Sequence, residues 1–323
     1  LIFLNEYYSP GARMLLGIAL GDACGASFEN LSFQDVTKKL EAEGIIPGRY
    51  TDDTQQALAI AEIMAFGDEI TPFNLAKSFL TAYARDPRQG YSRQTLRMLL
   101  SPDPQSFLKS ISDHERSERK TDGAAMRAPP LGFFPDRKTV IKSAVLSASI
   151  THGHPDAIAA TVAIALFAHE RIYHDTLFSE LWAVIREEVR EMSPDIIFWC
   201  ERCSGLVIPD REILLGEYAP YGVPYTESRI FLGVVIFLLT RFGYDPCTLL
   251  KEAIQVGGDT DTVAAVVLGI ALVRGGEYSR IWDLVEGIED GPYGREYVIS
   301  IGNGLSDRFY PPIINDQNNV LSG

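Results

Sequence analysis

Residues 256–268 constrain the fold of this chain more than any other stretch. They read Val-Gly-Gly-Asp-Thr-Asp-Thr-Val-Ala-Ala-Val-Val-Leu, so two acids stand directly before a run of small apolar residues. Gly257 and Gly258 permit backbone angles that residues with a Cβ avoid, and Asp or Thr then begins a helix that the apolar run carries inward. One carboxylate is enough for a helix cap, and a second adds repulsion unless a cation lies between the two. A helix cap and a site for a hard divalent cation are both open interpretations of Asp259 and Asp261.

A second pair of acids opens another apolar helix near residue 50. Thr51-Asp52-Asp53-Thr54 precedes residues 55–66, whose apolar side chains recur at helical spacing. If the two helices are neighbours, four carboxylates and two hydroxyls face each other across one small space, enough for two octahedral ions. These oxygen-bearing residues are Thr51, Asp52, Asp53, Asp259, Asp261 and Thr262. Two unrelated helix caps are the alternative, and the joint pattern favours the cation site.

The periodicity of the chain predicts its fold class. Few stretches alternate with period two, and apolar segments of helical spacing account for most of the 323 residues. We predict an all-α protein, a compact orthogonal multi-helix bundle with long functional loops and a metal site at helix N-termini. We divide it into an N-terminal arm at 1–10, a domain at 11–300 and a C-terminal tail at 301–323. Helices are expected at 11–27, 55–66, 71–85, 93–100, 138–150, 156–173, 176–192, 226–242, 246–256 and 261–274, and loops at 101–122 and 205–225.

The charge of the chain restricts its partners. Lys plus Arg total 29 and Asp plus Glu total 43, and the net charge of −14 disfavours binding to nucleic acid or to an anionic membrane. The longest near-continuous apolar run, 230–239, is too short to span a bilayer. Cys200 and Cys203 have CxxC spacing, but no second CxxC or nearby His pair completes a zinc site. Because the sequence shows no signal peptide, we expect a reduced, cytoplasmic protein.

Five blocks of the sequence carry a resemblance to a known family. The longest is Gly17-Ile-Ala-Leu-Gly-Asp-Ala-Cys-Gly-Ala-Ser-Phe-Glu29. The others are Tyr50-Thr-Asp-Asp-Thr54, Gly123-Ala-Ala-Met-Arg127, Thr151-His152 and Gly257-Gly-Asp-Thr-Asp-Thr262. In this order they resemble the ADP-ribosylglycohydrolase family, the group of dinitrogenase-reductase activating glycohydrolase. They span most of the chain, and five blocks in the family's order are far more specific than any one of them.

The resemblance implies an all-α fold, a binuclear centre of Mg²⁺ or Mn²⁺ and hydrolysis of a glycosidic bond to ADP-ribose. By that mapping the six oxygen-bearing residues given above are the metal ligands, and Glu29, Asp53 and Asp259 take part in catalysis. The turn at 123–127 would surround the diphosphate, since small residues let backbone N–H groups approach oxyanions. The substrate-binding residues expected on this basis are Gly123, Ala124, Met126, His152, Tyr91 and Tyr221.

Several of these residues have a structural alternative. His152 is either a substrate hydrogen-bond donor, which we favour, or the partner of a helix C-terminus. Arg127 either meets phosphate or supports its loop through an ion pair. Tyr221 or Tyr225 either stacks on adenine or only packs within its proline-rich loop. Asp22 either supports the metal shell or caps a helix locally.

Two positions depart from the family pattern. The family's glycine turn commonly begins Gly-Asn-Gly, and here it reads Thr-Asp-Gly. The extra carboxylate, Asp122, is unfavourable beside a diphosphate unless it points away. Members that act on ADP-ribosyl-arginine often carry an Asp after a Gly-Tyr pair, and here Tyr91 is followed by Ser92. That difference argues against arginine specificity and leaves serine-linked and small-molecule conjugates open.

From these features we predict a metal-dependent hydrolase that removes ADP-ribose from a modified protein side chain or a small conjugate. Three alternatives stay open. One is an immunity protein that neutralises an ADP-ribosylating toxin by occlusion, and another is a non-catalytic ADP-ribose-binding or structural relative. The third is a metal phosphohydrolase, which would release AMP. The intact set of six predicted ligands argues against a relative that has lost its activity.

Overall fold

Helices form the regular structure of residues 8–276 and 279–310, which are the residues described by our computed structural model. The α-helices there are α1 (Pro10–Gly25), α2 (Phe33–Glu43), α3 (Asp52–Phe66), α4 (Pro72–Arg85), α5 (Arg93–Leu99), α6 (Pro104–Lys109), α7 (Asp113–Glu118), α8 (Arg137–Ser149), α9 (Pro155–His169), α10 (Leu181–Met192), α11 (Pro194–Ser204), α12 (Arg211–Leu215), α13 (Ser228–Phe242), α14 (Pro246–Gln255), α15 (Thr260–Leu272), α16 (Ser279–Val285) and α17 (Arg295–Phe309). Within these ranges the extended backbone pairs only at two isolated bridges, Leu31–Gly258 and Val223–Gly258. The prediction of an all-α protein is confirmed.

The centre of the fold is the pair α1 and α15, whose residues are almost all buried. Glycines at three successive turns of α1 let the two backbones touch. A Cβ added to Gly17 would lie 2.6 Å from the carbonyl oxygen of Leu268, and one added to Gly21 would lie 2.2 Å from that of Ala264. One added to Gly25 would lie 2.5 Å from the Cα of Asp261. These glycines therefore permit a close helix approach, and they bring α1 against the acidic start of α15.

The last helix completes the core from the far end of the chain. α17 packs on α1 and α3, and the backbone N–H of Gly11 donates to Ser306 Oγ at 2.7 Å. α17 runs through residue 300, where the sequence placed the end of the domain. The three-part division stays a prediction, because residues 1–7 of the arm and 311–323 of the tail lie outside the described residues.

Several short helices lie where the sequence predicted none. α6 and α7 occupy the predicted loop at 101–122, and α12 lies inside the one at 205–225. Local side chains stabilise them: Asp103 accepts a hydrogen bond from the N–H of Ser106, and Ser112 forms a capping box with Glu115. These helices have few buried residues, so apolar periodicity does not reveal them. α2, α11, α16 and α17 were also not predicted.

The apolar run at 230–239 lies inside α13, as expected of a buried helix. Across residues 8–276 and 279–310, every helix is too short or too polar to cross a membrane.

Candidate metal centre

The two acid-bearing helix starts lie beside each other in the structure. Carboxylate oxygens of Asp53 on α3, Asp261 on α15 and Asp22 on α1 all lie within 4.8 Å of one another, and all three side chains are buried. Asp52 and Asp259 line the same cleft. The fold therefore brings together acids from three helices that are distant in sequence, as the paired motifs predicted for α3 and α15.

Helix capping does not account for the acids at these two helix starts. Ten helices of the described chain begin with a side chain that accepts a hydrogen bond from the first turn: α1, α2, α4, α5, α6, α7, α8, α9, α12 and α14. α3 and α15 are among the described helices that lack this bond, although Thr51 and Asp259 occupy their N-cap positions. The Thr51 hydroxyl instead donates to Asp22, and neither side chain caps its own helix.

Asp22 supplies the cap that α3 lacks. Its carboxylate accepts hydrogen bonds from the N–H and Oγ1 of Thr51 at 2.9 Å each, and from the N–H and Oγ1 of Thr54 at 3.0 and 2.6 Å. An acid near the C-terminus of α1 opposes that helix's dipole, and the N-terminus of α3 offsets it. Asp22 therefore fixes Thr51 and the first turn of α3.

The turn before α15 contains two glycines and lies between two other segments of the chain. Gly257 and Gly258 have φ values of +79° and +76°, which favour glycine. The N–H of Gly258 donates to the carbonyl of Leu31 at 3.0 Å, and the N–H of Asp259 donates to that of Val223 at 2.9 Å. A Cβ on Gly258 would lie 2.2 Å from the carbonyl oxygen of Val223. The turn is clamped on both sides, so Asp259 is held in a fixed position.

The charge and bonding of the cluster fit divalent cations. Burial, reinforced by neighbouring carboxylates, raises the pKa of Asp52, Asp53, Asp259 and Asp261 well above the ordinary aspartate value. Asp53 is 2% exposed, and its Oδ1 has no hydrogen-bond partner in the described structure. Buried carboxylates in mutual contact are costly without positive charge, and oxygen-only donor sets suit hard ions such as Mg²⁺ and Mn²⁺.

A cleft of about 720 Å³ leads to this cluster. Of the predicted ligands it is lined by Asp52, Asp53, Asp259, Asp261 and Thr262. Thr51 lies outside this lining, and its hydroxyl donates to Asp22. Glu29 lines the cleft half-buried, and burial raises its pKa. This one space can hold cations on one wall and an organic substrate beside them.

The predicted substrate-binding residues divide into two groups. Gly123, Met126 and His152 line the cleft, whereas Ala124 and Tyr91 are buried and do not, and the Tyr91 hydroxyl donates to Gln55 Oε1 at 2.7 Å. Tyr221 is 68% exposed and also lies outside the lining, which contains Tyr225 instead. Sequence reasoning missed other lining side chains, among them Gln56, Arg93, Arg119, Lys120 and Thr121.

His152 and Arg127 both have partners within the protein. The two ring nitrogens of His152 lie 2.6 Å from Thr121 Oγ1 and 2.7 Å from Thr151 Oγ1. Burial, with Arg119 and Arg127 nearby, lowers the pKa of His152 well below its ordinary value, so the ring is neutral. The buried Arg127 guanidinium donates to Gln56 Oε1 and to the carbonyls of Gly123 and Ser147. Arg127 thus supports its loop, although through neutral acceptors instead of the ion pair considered from the sequence.

Gly90 offers a test of how Asp52 is positioned. Its φ is +100°, and a Cβ there would lie 1.9 Å from Asp52 Oδ1. Gly90→Ala should displace the Asp52 carboxylate and weaken Mn²⁺ binding at least about tenfold by calorimetry, because cation sites depend on ligand geometry. Gly291→Ala is the matched control, since Gly291 has φ +123° and nothing within 4 Å of a new Cβ. Equal affinity in the two variants would contradict the close approach to Asp52.

Removing divalent cations should destabilise the protein more at high pH than at low pH. An acid whose folded-state pKa is raised binds more protons folded than unfolded, so stability falls as pH rises between the two values. For Asp22, whose burial raises its pKa to about 6, this range runs from about pH 4 to about 6. The other cluster acids, whose pKa values burial raises well above the ordinary aspartate value, extend this range upward. Melting temperatures with EDTA and with Mg²⁺ should therefore diverge as pH rises, and curves that converge would contradict the prediction.

Comparisons with known proteins confirm the resemblance to the ADP-ribosylglycohydrolase family. A family model described as ADP-ribosylglycohydrolase matches residues 6–309. The chain is 26% identical over 312 residues to an uncharacterized protein of Archaeoglobus fulgidus, covering 90% of this chain and 94% of that protein. It is also 26% identical over 305 residues to ADP-ribosylhydrolase ARH3 of Xenopus tropicalis, covering 81% and 86%. A solved structure titled ADP-ribosylglycohydrolase-related protein complex superposes with a TM-score of 0.66 at 22% identity, covering 93% of this chain and 98% of that one, so it shares the fold.

Proposed function

Because this chain belongs to the ADP-ribosylglycohydrolase family, we propose that it hydrolyses the glycosidic bond between ADP-ribose and a modified protein side chain with the help of two divalent cations. The observation that carries this proposal is the buried group of facing carboxylates from α1, α3 and α15, in which Asp53 lines the cleft and its Oδ1 has no hydrogen-bond partner among the described residues. Such a group has little use in a protein without cations, because each acid raises the cost of ionising the others.

The residues of the site divide into those that would hold the cations and one that would transfer protons. We propose Thr51, Asp52, Asp53, Asp259, Asp261 and Thr262 as the residues that would hold Mg²⁺ or Mn²⁺, with Asp22 fixing the first turn of α3. Cations bound there would act as Lewis acids on ribose oxygens and lower the pKa of water. Glu29 lines the cleft with a pKa raised by burial, and such a carboxyl can take a proton from water and give one to the leaving side chain.

The residues on the other wall of the cleft indicate which kind of leaving group the protein accepts. Ser92, Arg93 and Thr95 line it, and Arg93 is exposed without an ion pair in the described part of the chain. A cation at this position repels the guanidinium of a modified arginine, whereas a serine-linked or other uncharged conjugate meets no such penalty. We propose that uncharged linkages are cleaved faster than the arginine linkage.

A product assay tests the proposal. The protein with Mg²⁺ or Mn²⁺ is incubated with serine-linked and arginine-linked ADP-ribosyl peptides, and the products are identified by mass. We expect free ADP-ribose, released at least about tenfold faster from the serine linkage, which corresponds to roughly 1.4 kcal/mol in the barrier. Release of AMP would instead indicate a phosphohydrolase, and binding without any product would indicate a non-catalytic binder or an occluding immunity protein.

A further inference from the structure

Asp122 is a buried acid that the six proposed ligands do not include. It begins the short 3-10 turn Asp122–Ala124, is 4% exposed and lines the cleft. Its carboxylate lies beside that of Asp259, and its Oδ2 has no hydrogen-bond partner in the described structure. Asp122 therefore lies against the acid that precedes α15.

Backbone hydrogen bonds hold Asp122 beside Asp259. The carbonyl of Val223 accepts the N–H of Asp259 at 2.9 Å, and two residues later the carbonyl of Tyr225 accepts the N–H of Asp122 at 3.1 Å. One short segment thus holds both acidic turns side by side. The N–H of Ser228 also donates to the carbonyl of Lys120 at 2.8 Å, which ties the same segment to the approach of the turn.

Positive side chains near Asp122 in sequence are engaged elsewhere. Lys120 forms an ion pair with Glu227 at 2.5 Å, and the Arg127 guanidinium donates to Gln56, Gly123, Ser147 and Thr151. Two carboxylates in buried contact without a compensating cation are strongly unfavourable. The same two carboxylates with a divalent cation between or beside them form an ordinary oxygen site.

We infer that Asp122 is a further residue of the cation centre, and that its carboxylate helps to hold the cation on the Asp259 side. This inference rests on the proposed function. It has a mechanical consequence, because Gly123 and Met126 lie in the same turn as Asp122 and line the cleft. Cation binding then orders the substrate-facing turn as well as the metal site, which couples the two parts of the cleft.

Asparagine at position 122 tests the inference, since Asp122→Asn keeps the size of the side chain and one oxygen but removes its charge. We expect Mn²⁺ titrated into the full chain to bind this variant at least tenfold more weakly than the original protein. The matched control is Asp156→Asn, a buried acid outside the cleft that accepts a hydrogen bond from Ser193 Oγ at 2.5 Å. Its Mn²⁺ affinity should be unchanged. Circular dichroism establishes that each variant is folded.

Hydrogen exchange of the unmodified protein gives a second measurement that needs no variant. Mn²⁺ should slow amide exchange in the turn at 122–127 as well as at the starts of α3 and α15. Unchanged exchange in that turn, equal Mn²⁺ affinity in Asp122→Asn, or an equal loss in Asp156→Asn would each overturn the role of Asp122 alone. Failure of the unmodified protein to bind Mn²⁺ would overturn the whole cation centre, so the two failures are distinguishable.

Discussion

Replacing Asp53 by asparagine is expected to abolish release of ADP-ribose, with a fall in kcat/KM of at least about a thousandfold, or roughly 4 kcal/mol. Carboxylate oxygens of Asp53 and of the acids on α1 and α15 lie within 4.8 Å of one another, and the buried Asp53 Oδ1 has no hydrogen-bond partner among the described residues. Asparagine has nearly the same shape, but it offers one oxygen and no charge to a cation. The loss of activity should therefore accompany loss of Mn²⁺ binding, with the fold intact.

The same substitution should raise the stability of the protein in EDTA. At pH 7 the Asp53 carboxylate is held in contact with other acids, and burial followed by Asp261 and Asp52 raises its pKa well above the ordinary value. Removing that charge relieves the repulsion when no cation is present. Asp156→Asn again serves as the control and should leave ADP-ribose release unchanged. Full activity in Asp53→Asn, or lower stability in EDTA, would contradict the assignment of Asp53 to the cation centre.

Gly21→Ala is expected to unfold most of the protein. Alanine is a better helix former than glycine by about 1 kcal/mol, so an ordinary helical site would gain stability. At residue 21 the new Cβ would lie 2.2 Å from the carbonyl oxygen of Ala264. Both atoms belong to helix backbones, so α1 and α15 must separate along their whole contact. We expect the free energy of unfolding in urea to fall by more than about 4 kcal/mol, as for the most disruptive core substitutions.

The control for this prediction is the same substitution at a glycine whose surroundings can accommodate a Cβ. Gly205 ends α11 with φ −82°, and a Cβ there would meet only ordinary contacts at 3.8 Å or more. Gly205→Ala should leave the free energy of unfolding unchanged or raise it by up to about 1 kcal/mol. Similar unfolding free energies for the Gly21 and Gly205 variants would show that α1 and α15 are not in the contact described.

The sequence was informative where a short segment carries more acidic residues than its own helix requires. Two acids at each of two helix starts were more than caps require, and the structure places both pairs around one cleft. This inference used only the composition of two helix starts, and such a local pattern is present in the sequence whatever the tertiary arrangement.

The contacts that were not predicted join residues far apart in the chain. Asp22 caps α3 through Thr51, which lies 29 residues later in the chain, and Asp122 meets Asp259 because residues 223–225 hold both turns. The spacing of apolar residues along the chain does not predict such contacts. The sequence predicts a substrate hydrogen bond for His152, and the fold adds a hydroxyl beside each of its two ring nitrogens. By contrast, α7 could have been found, because Ser112 and Glu115 have the spacing of a capping box.

The pairing of α1 with the end of the chain also sets the order in which the molecule can be made. The Gly25 carbonyl accepts a hydrogen bond from a hydroxyl 235 residues later, and the Gly11 N–H donates to one 295 residues later. The ribosome synthesises α1 before α15 and α17. This apolar helix therefore lacks its packing partners until the last part of the chain emerges. Such distant pairing slows folding and exposes apolar surface in the meantime. We therefore expect chains that stop before α15 to aggregate instead of forming a smaller folded unit.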